Sequence, residues 1–305
     1  MPEPTSQASA GSALPRARFR AYRLALLAVL FIAAVAVTFA QRSGFPGTRQ
    51  RQQAGMVDRG GTPEWEVNKE LPKDIFTFVR IQYSSSGGRY GGGGWGGRRW
   101  STDYPDADIN LSHRLQEMTS LKVDPNGRVL EITDPDLFNF PFCYIVEPGA
   151  LHFSDEEVVT LRKYLLNGGF LMVDDFWGEA EWENFYYEIK RVFPDREPVD
   201  VPMDHPIFHC VFDLKLSKNN MQVPNVNLGT QSQYNGITWE REDAKEVHFR
   251  SISDDKGRMM VMICHNTDNG DGWEREGDNE YYFREFSEKK SYPLGINIIF
   301  YAMTH

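Results

Sequence analysis

The stretch SDEEVVTLRKYLLNGGFLMVDD, Ser154 to Asp175, carries a helix, its stop and a strand in 22 residues. Ser154 with Glu157 has the spacing of a capping box, in which each side chain satisfies a free backbone N–H of the other residue. Val158, Leu161 and Leu165 fall at helical spacing and give one apolar stripe. Asn167-Gly168-Gly169 then ends the helix, and Phe170 to Val173 is a short apolar run of the buried-strand type. Upstream, Phe142 to Val146 has the same character. Strand, capped helix and strand in succession predict a parallel crossover unit.

Working outward, Ile75 to Tyr83 (IFTFVRIQY) reads as the first strand, Val129 to Ile132 as the second and Met259 to Cys264 as a later buried one. Leu111, Leu115 and Met118 mark a helix that Asp106 or Asp108 is expected to cap. Trp182, Phe185, Tyr186, Ile189 and Val192 mark another. Residues 293–303 read as a closing helix with Ile296, Ile299, Phe300 and Met303 toward the sheet. The expectation is one three-layer α/β domain over 71–305 with a mostly parallel sheet.

The N-terminal part differs. Leu24 to Ala40 runs 17 residues without a charge behind Arg16, Arg18, Arg20 and Arg23. A helix of that length rises about 26 Å, at the short end of a bilayer span. The arginines predict a cytoplasmic tail over 1–23 and an extracytoplasmic chain beyond. The segment 24–40 is a signal anchor, placing a periplasmic domain on the cytoplasmic membrane, or a signal peptide cleaved after small residues at Thr38 and Ala40, giving a secreted protein. Residues 41–70 are Gly-, Gln- and Arg-rich and read as a flexible linker.

Charge divides the same way. The chain has 33 Lys and Arg against 43 Asp and Glu; residues 1–60 hold 8 Arg and 2 acids, so 61–305 carries a balance of −16. Such a domain repels a phosphate backbone, which argues against a nucleic-acid partner. Cys143, Cys210 and Cys264 share no metal-ligand spacing and sit in apolar runs, as buried free thiols do. Eight glycines between Gly87 and Gly97 follow the first strand. They match neither a dinucleotide fingerprint nor a phosphate-binding loop, so no cofactor is expected. With Trp95 and Trp100 they read as a flap.

In an open parallel sheet, ligands bind beyond the carboxyl ends of the strands. Asp134, Glu147, Asp174, Asp175, His265 and Asp268 stand at such exits, and Asp103, Asp106 and Asp108 follow the Gly-rich segment. Carboxylates on one rim suit a hard cation, sugar hydroxyls or an acid and base pair. Capping and turn duties also explain most of them singly. His205 and His209 have ordinary roles in a turn and beside Phe208. Asp268-Asn269-Gly270-Asp271-Gly272 fails calcium-loop spacing, with Gly270 at the third position and Asn279 at the twelfth, and reads as a surface turn.

FVRIQY, Trp100 to Pro105, Gly168 to Asp175, His205-Pro206-Ile207-Phe208, Gly270 to Glu274 and Leu294 to Asn297 together resemble a bacterial family, domain of unknown function number 4159. The resemblance spans about 70–305. It implies a glutamine amidotransferase-like (flavodoxin-like) fold, related to the branch linked to trehalose utilisation. Amidotransferases of that fold place a nucleophilic Cys at a strand exit and pair it with a downstream His. Here the corresponding strand exits into Asp174-Asp175-Phe176 without a Cys.

Two functions remain. The favoured one is a non-catalytic membrane-tethered module whose rim (Asp103, Asp106, Asp108, Glu147, Asp174, Trp177, Trp273) binds a carbohydrate, another polar ligand or an envelope protein. The alternative is a hydrolase using Asp175 with His265 or Asp268, with metal use left open.

Overall fold

The computed structural model describes residues 59–67, 74–85 and 99–305. The tail, the 24–40 segment, most of the expected linker and the glycine-rich flap with Trp95 lie outside the described residues. Among those described, no helix is long and apolar enough to cross a membrane. Residues 59–67, at the end of the expected linker, lie along the domain: Trp65 donates Nε1–H to the Val123 carbonyl at 2.8 Å, and Arg59 reaches Pro125 O at 2.8 Å.

The strands are β1 (Val79–Gln82), β2 (Ser84–Ser85), β3 (Arg128–Glu131), β4 (Phe142–Val146), β5 (Leu151–His152), β6 (Phe170–Asp174), β7 (Val199–Asp200), β8 (His248–Ser253) and β9 (Met259–His265). Seven form one sheet in the order β3-β1-β4-β6-β9-β8-β7, while β2 and β5 make a separate antiparallel pair. From β3 to β9 every pairing is parallel, with Phe142 opposite Phe170 and Val146 opposite Asp174. The five parallel strands, numbered along the chain, therefore run 2-1-3-4-5, one of the two common doubly wound orders. The β8 and β7 strands continue the sheet antiparallel, an edge that the sequence reading did not anticipate.

The helices are α1 (Asp106–Met118), α2 (Asp155–Leu166), α3 (Gly178–Val192), α4 (Val226–Asn235), α5 (Asn269–Glu274), α6 (Glu280–Tyr282) and α7 (Tyr292–Thr304), with a π-helical segment Phe283–Ser291 joining the last two. Alternation along the strands builds two cores. Phe142, Tyr144, Phe170 and Met172 pack with Leu111 and Leu115 of α1 and Ile296 and Ile299 of α7. Cys143, Ile145, Leu171 and Val173 pack on the other face with Val158, Leu161 and Leu165 of α2 and Phe185 and Ile189 of α3. A central sheet thus lies between two helical layers.

The capping box at Ser154 forms as expected, with both backbone N–H bonds present. Gly168 stops α2 at φ +107°, a conformation that L side chains rarely adopt. Three local expectations need correction. Asp106 and Asp108 lie inside the first turn of α1 rather than before it, and Asp108 faces Arg80. Met118 is 49% and Met303 38% exposed, because both apolar stripes run out before their helices do. Asn269 to Trp273 form a buried helix instead of a surface turn.

Candidate metal centre

The carboxyl ends of β1, β4, β6 and β9 feed one acidic centre. Chain pairing continues past the strands and sets its geometry. Asp175 N–H bonds Thr267 O at 3.1 Å, and Asn266 N–H bonds Phe176 O at 2.9 Å. The segments carrying Asp175 and Asp268 are therefore held side by side. Val223 N–H on Thr267 Oγ1 and Asp268 N–H on Val223 O fix the second segment from behind.

Asp103 arrives from another direction. Arg80 in β1 is fully buried and grips Asp108 with its Nε (3.0 Å) and Nη2 (2.5 Å). Its Nη1 takes the carbonyls of Trp100 (3.1 Å) and Thr102 (2.8 Å). This holds the turn before Asp103, whose own carbonyl accepts Ala107 N–H at the start of α1. Among the described residues, four non-glycine residues have left-handed φ: Asp103, Glu147, Asp175 and Asn266. All four lie in the segments that follow the parallel strands, the kind of place where backbone strain accompanies function.

The result is convergence. One oxygen each from Asp103, Asp175 and Asp268 lies within 4.8 Å of the others, and Asp103, Asp271 and Glu274 form a second such triplet. Asp175 is 8% and Asp268 5% exposed. Burial raises the carboxyls of Asp103, Asp175 and Asp268 well above the usual range, and neighbouring acids, Glu147 and Asp271 among them, raise them further. Burial also raises Asp271, and takes Glu274 up to about 7. Like charges this close cannot all ionise unless a cation offsets them; without one, some of the carboxyls keep their protons. Two guanidiniums lie near Asp103: Arg80 is committed to Asp108 and two carbonyls, and Arg275 pairs with Glu274 at 2.7 Å and Asp271 at 3.6 Å. Asp103 Oδ2 is buried with no donor, whereas Asp175 accepts Trp177 Nε1–H at 3.0 Å and Asp268 accepts Asp271 N–H at 2.7 Å. Carboxylate oxygens in such a set suit Mg²⁺, Mn²⁺ or Ca²⁺ better than softer metals.

Asp174 lies beneath this centre and has another job. It accepts Asn269 N–H, Asn269 Nδ2, Gly270 N–H and the Tyr144 hydroxyl at 2.8–3.2 Å, fixing the start of α5. Burial outweighs those donors and pushes its carboxyl up to about 7. Glu147 is raised by burial, against Arg99 at 3.5 Å. His265 is not among the converging groups. It stacks on Phe176 (4.7 Å) and Trp182 (5.3 Å), with Nε2 3.2 Å from Gly178 O, and burial lowers it to about 3. Trp177 and Trp273 are 3% and 0% exposed, so neither presents a stacking face to solvent.

A non-catalytic binding rim is overturned by this geometry. A solvated rim would spread its carboxylates among caps and turns; here they are buried together at metal-ligand separations. Asp271 and Glu274 were missed in the sequence because the segment read as a surface turn. The signal that could have found them is Gly270 and Gly272, where a Cβ would lie 2.3 Å from Asp103 Oδ2 and 2.0 Å from Ser291 Oγ.

A three-layer α/β domain with a buried acidic centre at its strand ends is the class that fold and site define. Residues 77–303 match the family described as Domain of unknown function (DUF4159), and the chain belongs to that family. No curated protein matches the chain.

Proposed function

We propose that this protein is a metal-dependent hydrolase whose divalent cation is held by Asp103, Asp175 and Asp268. The observation that carries the reading is the approach of those three buried oxygens to within 4.8 Å. A hard cation held there would supply Lewis acidity and lower the pKa of a water molecule at the site. The chain's own part is to hold the carboxylates rigidly: Trp177 orients Asp175, the start of α5 orients Asp268, and Arg80 sets the turn before Asp103.

The scaffold is of the amidotransferase-like kind, used without its thiol chemistry. Cys143 and Cys264 lie inside strands, fully buried, and burial pushes the Cys143 thiol up to about 12, opposite to a nucleophilic thiolate. We further propose that residues 24–40 anchor the chain in the cytoplasmic membrane with the domain on its extracytoplasmic side, the apolar run and its preceding arginines being the support.

The test is a panel of chromogenic ester, glycoside and phosphoester substrates, assayed on the full chain with Mg²⁺, Mn²⁺ or Ca²⁺ and with EDTA. Turnover that EDTA abolishes, and that Asp175→Asn lowers at least about 100-fold, is expected. Turnover indifferent to EDTA and to Asp175→Asn would refute the assignment.

A further inference from the structure

We infer that the centre holds a second hard divalent cation, with Asp103 shared between the two ions and Asp271 and Glu274 completing the second position. The inference rests on the hydrolase reading and extends it from one metal to two.

Two carboxylate triplets meet at one residue. Asp103 belongs to the group with Asp175 and Asp268 and equally to the group with Asp271 and Glu274, with ligand oxygens inside 4.8 Å in each. A carboxylate common to two such groups is what a bridging ligand requires.

Further observations bear on the second position. Asp103 Oδ2 is a buried acceptor without a hydrogen-bond donor, and Glu274 Oε2 has Arg275 Nε 2.7 Å away without hydrogen-bond geometry. An unsatisfied buried acceptor is costly, more so when charged, and a ligand would offset that cost. Room for Asp103 Oδ2 exists only because residue 270 is glycine, since a Cβ there would stand 2.3 Å away. The orientation of Asp271 is fixed separately, its Oδ2 taking Val226 N–H at 2.5 Å while its Oδ1 pairs with Arg275 at 3.6 Å.

Arg275 is the competing cation. Its Nε is 2.7 Å from Glu274 Oε2, yet neither atom has hydrogen-bond geometry, and the side chain is 43% exposed with Asp278 Oδ2 3.7 Å from Nη1. It pairs with Glu274 and Asp271, and Asp278 is an alternative partner when it is displaced.

Manganese titration of the full chain, followed by electron paramagnetic resonance, tests this. Two Mn²⁺ per chain with an exchange-coupled spectrum are expected. Glu274→Gln should weaken the second ion at least about tenfold and leave one uncoupled ion. Arg275→Ala, which removes the competitor, should tighten the second ion. One Mn²⁺ with an uncoupled spectrum, two uncoupled ions, or a coupled pair that survives Glu274→Gln would each overturn the second site while leaving the single-metal hydrolase intact. Absence of any bound Mn²⁺ would remove both.

Discussion

Asp103 Oδ2 lies against Gly270, so close that a Cβ on residue 270 would stand 2.3 Å from it. Two segments far apart in the chain meet there, and the meeting depends on an absent side chain. Gly270→Ala must therefore push Asp103 away or displace α5. Since Gly270 N–H also bonds Asp174, the displacement should propagate to the start of that helix. We expect at least about a tenfold loss in divalent-cation affinity with a folded chain, measured by calorimetry beside circular dichroism. Unchanged affinity would show that Asp103 is not a ligand.

Arg80 and Asp108 form a second such relationship, both essentially buried and joined at 2.5 Å. Removing one partner strands the other charge, at a cost of about 3–5 kcal/mol. Arg80→Met should lower stability by that order in urea denaturation and free the Trp100–Asp103 turn. A loss under about 1 kcal/mol would mean that the pair is dispensable.

The pH dependence follows from the raised carboxyls. A group whose pKa is higher folded than unfolded contributes stability that is complete below its unfolded value and lost as pH rises through its folded value. For Asp103, Asp175 and Asp268 that window opens at the ordinary 3.8 and extends well above it. The metal-free protein should thus lose melting temperature from pH 4 toward neutrality, and Mg²⁺ or Mn²⁺ should restore it more at pH 8 than at pH 5. Equal stabilisation at both pH values would contradict the account.

The apolar run Leu24–Ala40 predicts that the full chain sediments with membranes and resists a carbonate wash, while a chain lacking residues 1–40 is released. Recovery of the uncut full chain in the soluble fraction would sink the anchor reading.

Most of the sheet was legible because local signals agreed with one another. The Ser154 box, the Gly168 stop and the apolar runs at 142–146, 170–173 and 259–264 each name an element without long-range information. The β8 edge was not legible. His248, Arg250 and two serines leave it only Phe249 and Ile252 as apolar residues, and Arg250 is tolerated there because it lies over the Trp182 ring, 4.0 Å from its centre. The strand-end acids were visible as a set, but their convergence depends on loop pairings such as Asp175 with Thr267 that no spacing reveals. His265 shows the reverse: a strand-exit His near an Asp had the pattern of catalysis, and its ring is packed among aromatic neighbours.

The most direct measurement is calorimetric titration of Mn²⁺ into the metal-free full chain and into its Asp175→Asn variant. Stoichiometric binding by the first, weakened at least about tenfold in a variant of unchanged fold, is the predicted result. No binding by the native chain, or equal binding by both, would contradict the claim that these buried carboxylates are a metal centre.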